Sequence, residues 1–298
     1  MSEPVSPPIP GLPRPSSQPG LPKAVACMLE LRETPSWEQL DDVVREIKKW
    51  QKDHADWKTQ GYYDRLQRAC SWLAKTRTAS DPEARFVFSW IALNALCGVR
   101  REVFETSWWK TEERLLPSVR ERKRNDDVPR ELEWFLWRIC GLDVDQQILR
   151  GAIEDHWNDA KLILRTRYLM SNYWRWKWRT EDDFEKWADK GERAVKDAIG
   201  LAPTREKMYR ALREVTVWRL RTLRNQLFHG SATDTHSKRR DSGKSELEAG
   251  ERLMGALVWA FLKLMAAPSG RAMYWPPIMY PRARSVQHEA FNHNWLPG

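Results

Sequence analysis

Between Ala84 and Gly98 the chain reads "ARFVFSWIALNALCG", apolar on almost every side when set on a helix. A helix with no polar face has to be enclosed by other elements. This requirement points to a helical bundle with residues 84–98 at its centre, and the remaining sequence supplies helices to surround them.

The start and stop signals are helical throughout. Ser36 and Gln39 form a capping box before "WEQLDDVVREIKKWQKDHADW". Ser80 and Glu83 form a second box, with Pro82 at the helix start. "NDDVP" (125–129) breaks the chain ahead of "RELEWFLWRICG", where Gly141 is the expected stop. Thr180 and an acidic first turn open "TEDDFEKWADKGERAVKDAIG", closed by Gly200. Pro203 precedes a stretch from Thr204 to His229 with no further Pro or Gly, ended by Gly230. Ser245 and Glu248 make a third box that starts "ELEAGERLMGALVWAFLKLMAA". No β pattern and no internal repeat is present. The expected fold is all-α, an irregular helical bundle over 36–267, with a Pro-rich disordered tail before it (1–35) and an irregular aromatic tail packed on it (268–298).

With 298 residues, 41% of them hydrophobic, the chain can bury a substantial core. Its 50 Lys and Arg exceed its 41 Asp and Glu by nine, which favours a polyanionic partner. The opening "MSEPVSPPIPGLPRPSSQPGLP" has no continuous apolar segment and is no signal peptide. The longest apolar run, Leu253 to Leu262, is too short to cross a bilayer. Cys27, Cys70, Cys97 and Cys140 lie far apart, a spacing that suits neither a zinc site nor a disulfide framework. A soluble, cytoplasmic protein with reduced thiols and no membrane partner is the expectation.

Candidate chemistry centres on "RNQLFHG", residues 224 to 230. On a helix from Thr204 to His229, Met208, Leu212, Val215, Leu220, Leu223 and Leu227 form one apolar side. Arg210, Arg213, Arg221, Arg224 and Asn225 gather opposite, within an arc of roughly 120°. Arg219 falls among the apolar residues and breaks the pattern. His229 lies about 140° round from Arg224, but a long Arg side chain and a helix end at Gly230 allow the two groups to reach one cleft. A second pair of similar spacing, Arg150 and His156, has no basic stripe leading to it. An imidazole titrating near neutrality at the negative end of a helix suits proton transfer. A guanidinium fork matches phosphate oxygens, and Asn225 could orient either group. Together they could cleave RNA without metal: a base frees the ribose 2′-hydroxyl to attack phosphorus while a cation stabilises the transition state. The plainer reading is that His229 caps its own helix and the arginines form a solvated face.

Two stretches together, "RFVFSWIALNALCG" (85–98) and "LRNQLFHG" with the following "KRRDSGKSELEAGERLMGALVWAFLKLM", resemble the HEPN superfamily, most closely its Apea-like branch. The resemblance covers about residues 80 to 267. The family's hallmark is an Arg, a polar residue and a His in an R-x4–6-H arrangement, matched here by Arg224, Asn225 and His229. What the resemblance implies is a helical fold, frequent dimerisation with a catalytic site shared across the dimer, and metal-independent endoribonuclease activity. Family members act as toxins, in RNA processing and in defence against phage, so an antitoxin or other regulatory partner is also implied. Arg150 and His156 occupy no matching position.

Several further residues carry two readings. Asn94, inside the apolar helix, either satisfies the core as a buried amide or supports the catalytic helix. Lys238, Arg239, Arg240 and Lys244, read as a loop beyond His229, either hold RNA phosphates together with Arg221 or keep that loop solvated. "YWRWKWR" (173–179) either stacks bases or, the favoured reading, packs through cation–π contacts. His288 and His293 come with no metal-site spacing, and neither a P-loop nor a G-x-G-x-x-G motif is present, so no metal or cofactor is expected. The resulting expectation is an RNA-cleaving homodimer; its rivals are an RNA-binding or regulatory module of the same fold and a purely structural dimerisation module.

Overall fold

Leu40, Val43, Val44 and Ile47 recur at the spacing of one helical face, and all are buried in helix α1 (Trp37–Asp53). The box ahead of it closes as read: Gln39 N–H donates to Ser36 Oγ at 3.4 Å, and Ser36 N–H to Gln39 Oε1 at 2.9 Å. The computed structural model describes residues 36–53, 57–99, 101–117, 129–170, 181–228, 237–267, 269–270, 273 and 275–276. The Pro-rich tail (1–35) and the segment 173–179 lie outside the described residues.

Helix α1 packs on α2 (Trp57–Thr78), and α2 on α3 (Pro82–Cys97), which carries the apolar segment 84–98 up to Cys97. Helix α3 also meets the long α11 (Ser237–Ala266), so it lies inside the bundle. Its start differs from expectation by one residue: Asp81, not Ser80, is the cap, its side chain accepting from Ala84 N–H at 2.8 Å. The expected buried amide is also corrected. Phe86, Trp90, Leu93 and Leu96 fill the core, whereas Asn94 falls on the exposed side of α3.

Helices α4 (Ser107–Arg114), α5 (Arg130–Leu142), α6 (Gln147–Glu154), α7 (Trp157–Arg165) and α8 (Glu181–Ile199) complete the body ahead of the Thr204 segment. Helix α5 runs one residue past Gly141, and a Cβ there would lie 2.9 Å from the Arg205 guanidinium, which stacks on Trp137 at 3.7 Å. The fold is all-α, with no strand among the described residues. None of the described helices is long and apolar enough to cross a membrane.

One aromatic cluster ties the middle of the chain to its end. Trp134 lies 5.9 Å from Trp108, 5.4 Å from Trp109 and 6.1 Å from Trp275 between ring centroids. Trp275 is buried and donates from Nε1 to the Gly270 carbonyl at 2.9 Å, so the segment after Pro268 contributes to the core at this point. Arg65, also fully buried, donates to the carbonyls of Leu96 and, at 2.7 Å, Pro276. Arg138 pairs with Glu112 and stands over the Trp134 ring at 5.4 Å. A cation here meets both a carboxylate and a π face, which offsets the cost of taking it out of water.

Candidate active site

The stretch from Thr204 to Phe228 is helical, but not one α-helix. Thr204 caps α9 (Arg205–Leu212) by accepting from Lys207 N–H at 3.3 Å. A π-helix follows (Arg213–Leu220), in which hydrogen bonds span five residues, and then α10 (Arg221–Phe228). A π segment advances fewer degrees per residue than an α-helix, so a single helical wheel cannot run through it. This corrects the expected basic stripe. Arg210 is exposed, whereas Arg213 turns inward to the buried carboxylate of Glu133 at 2.7 Å. The anomaly at Arg219 is resolved as well. Arg219 is buried, donating from Nε to the Leu164 carbonyl at 3.5 Å, and it feels the charge of Glu214, five residues earlier. A Cβ on Gly191 would lie 2.9 Å from Leu164 Cδ2 and 3.8 Å from both Arg219 Nη2 and Glu214 Oε2, so a glycine stands close to these groups.

Helix α10 restores the α phase and groups the remaining candidates. At 100° per residue, Arg221, Arg224, Asn225 and Phe228 fall within an arc of about 100°. Leu223 and Gln226, on the opposite side, are buried. Arg224 Nη1 donates to Asn225 Oδ1 at 2.9 Å, and its guanidinium stands over the Phe228 ring at 4.4 Å. Its Nε is buried and has no hydrogen-bond partner among the described residues. Asn225 therefore orients the arginine. Phe228 was not among the residues singled out from sequence. The i,i+4 spacing from Arg224 is the signal that could have found it.

The inner face of α10 is fixed on two sides. Leu223 packs so closely on α11 that a Cβ on Gly250 would lie 2.7 Å from its Cδ2. Gln226 Nε2 donates to the Tyr168 carbonyl at 2.6 Å, in the 3-10 turn Arg167–Leu169. Burial first, and then the charge of Glu246 and a hydrogen bond to it, push the Tyr168 phenol above the usual tyrosine range. Glu246 is itself buried and accepts from Ser245 Oγ at 3.0 Å.

Of the residues proposed from sequence, Arg221, Arg224 and Asn225 share one face, and Asn94 is exposed on α3 rather than buried as a support. His229 lies outside the described residues. Lys238, Arg239, Arg240 and Lys244 lie within α11, which begins at Ser237; the loop reading is corrected, as is the third capping box, because Ser245 sits inside this helix. The rival Arg–His pair has other partners: Arg150 Nε binds Glu154 at 2.9 Å, and His156 Nδ1 lies 3.1 Å from Asp159 Oδ2. Asp159 in turn takes both a 2.6 Å and a 3.1 Å bond from Arg252. Burial works against the charge on Asp159, but the hydrogen bonds from Arg252 and His156 outweigh it and hold the carboxyl below the usual aspartate range.

Comparison of the chain with protein-family models, with curated proteins and with solved structures gives no match.

Proposed function

We propose that the protein is a metal-independent endoribonuclease of the HEPN type, acting through Arg224, Asn225 and His229. The carrying observation is a guanidinium fixed by Asn225 and the Phe228 ring, with one buried N–H left unpartnered among the described residues, on a helix whose next residue is His229. A π segment directly before such a face adds weight, since π turns occur frequently at functional sites.

In this reading Arg224 binds the scissile phosphate and stabilises the charge that builds on its oxygens. His229 takes the proton of the 2′-hydroxyl, and the freed oxygen attacks phosphorus. The 5′-oxygen leaves with a proton from an acid, so the products are a 2′,3′-cyclic phosphate and a 5′-hydroxyl. One imidazole cannot serve as base and acid at the same instant; two copies about a two-fold axis would supply one each. The net charge of +9 suits a polyanionic substrate.

The test is incubation of wild type, Arg224→Ala and His229→Ala with single-stranded RNA in EDTA. Cleavage to cyclic phosphate ends is expected from the wild type, with the Arg224 variant slower by about 10²–10³-fold and the His229 variant inactive. RNA bound by all three proteins and cut by none would replace the enzyme with a binding module.

A further inference from the structure

Phe228 is 54% exposed, a large apolar ring at the end of the helix that carries Arg224. Single exposed apolar residues are ordinary on protein surfaces, so exposure alone says little. Here, however, one side of the ring is taken by the Arg224 guanidinium at 4.4 Å, and that guanidinium keeps a buried donor without a partner among the described residues. A cation over a ring that is still 54% exposed leaves π surface for a second partner. The cation can hold a phosphate oxygen while the ring offers a π surface to a neighbouring base.

We infer that Phe228 is a stacking platform for a nucleobase flanking the phosphate held at Arg224, and that the substrate class is therefore unpaired RNA. The inference rests on the ribonuclease reading for the position of the phosphate. In a duplex the bases are stacked on one another and their faces are closed to a side chain; in a single strand or a loop they can splay out onto an aromatic ring. Every base has a π face, so this contact selects strandedness rather than sequence. Phosphate and base recognition fall on one helical face because Arg224 and Phe228 are four residues apart.

The experiment uses the full chain carrying His229→Ala, to prevent turnover, and measures fluorescence anisotropy in EDTA with three probes: an oligouridine, an abasic ribose-phosphate strand of equal length, and a blunt RNA duplex. Adding Phe228→Ala should weaken oligouridine binding about tenfold and weaken abasic and duplex binding clearly less, by no more than the loosened Arg224 contact accounts for. Phe228→Trp should preserve oligouridine affinity, and Phe228→Leu, apolar but without a π face, should not. Equal loss on oligouridine and abasic strands, or full affinity with leucine, overturns the platform. Unchanged RNA binding with loss of self-association in sedimentation also overturns it and gives the face to a second copy of the chain. Cleavage by the wild type together with full oligouridine affinity in Phe228→Ala removes the platform and leaves the ribonuclease standing. The expected stacking pattern without cleavage by the wild type does the reverse.

Discussion

A methyl group on Gly61 would lie 2.7 Å from the Trp275 carbonyl oxygen and 2.9 Å from that of Pro276. Alanine is the better helix former by about 1 kcal/mol, and on propensity alone Gly61→Ala would stabilise α2. The obstructing atoms are backbone, however, and cannot rotate away. Gly61→Ala should therefore destabilise the protein, by about 1–3 kcal/mol, seen as a lower urea midpoint at unchanged m. Asp159 gives a second residue-scale expectation, with its sign set by linkage. Its carboxyl is held below the usual range in the folded protein, so the stability it adds is present above the unfolded carboxylate value and is lost as pH falls through the folded one. Asp159→Asn should lower stability at about pH 7 and make little difference at about pH 2, measured by denaturant unfolding of both proteins across that range.

At the scale of elements, the π segment is held by a buried ion pair. Glu133 has 1% of its side chain exposed, and Arg213 reaches it across from the π-helix. Arg213→Met keeps much of the volume but removes the cation, and should cost about 3 kcal/mol. Adding Glu133→Gln should recover part of that loss, because the buried charge that Arg213 balanced goes with it, and a double-mutant cycle in urea measures the coupling. How legible each element was in sequence follows from which forces shaped it. Helix α1 could be read outright, since Leu40, Val43, Val44 and Ile47 carry its periodicity and Ser36 its cap. Asn94 could not: an apolar segment announces burial, but the neighbours decide which residue is left facing out. The start of α11 was misplaced because Ser242, Gly243 and Ser245 look like turn chemistry, and the helix continues through them. The π turns bear no distinct residue signature, and Arg219 among the leucines was their one trace. Arg224 and Asn225 were singled out through their spacing from His229, and they share a face of α10; Phe228, which also lies on that face, was passed over because an isolated phenylalanine reads as core.

For the molecule as a whole, the three described cysteines lie in an inert interior. Burial pushes the Cys70 thiol up to about 12, and raises Cys97 and Cys140 as well. A thiol kept protonated and out of water does not attack electrophiles. In a Cys27→Ser chain, Ellman's reagent should leave all three thiols untouched under native conditions and titrate all three in guanidinium; rapid native labelling would place at least one of them at the surface. The position of Trp275 has a different consequence. The aromatic group around Trp134 is assembled from residues made early, yet its last ring comes from a part of the chain made much later. During synthesis, when earlier segments begin to fold first, α2 to α5 would lack the Trp275 ring, and Arg65 would hold the Leu96 carbonyl before that of Pro276. A chain lacking Trp275 and Pro276 would keep nearly every helix but lose one ring of the aromatic core and one of the two carbonyls that hold Arg65.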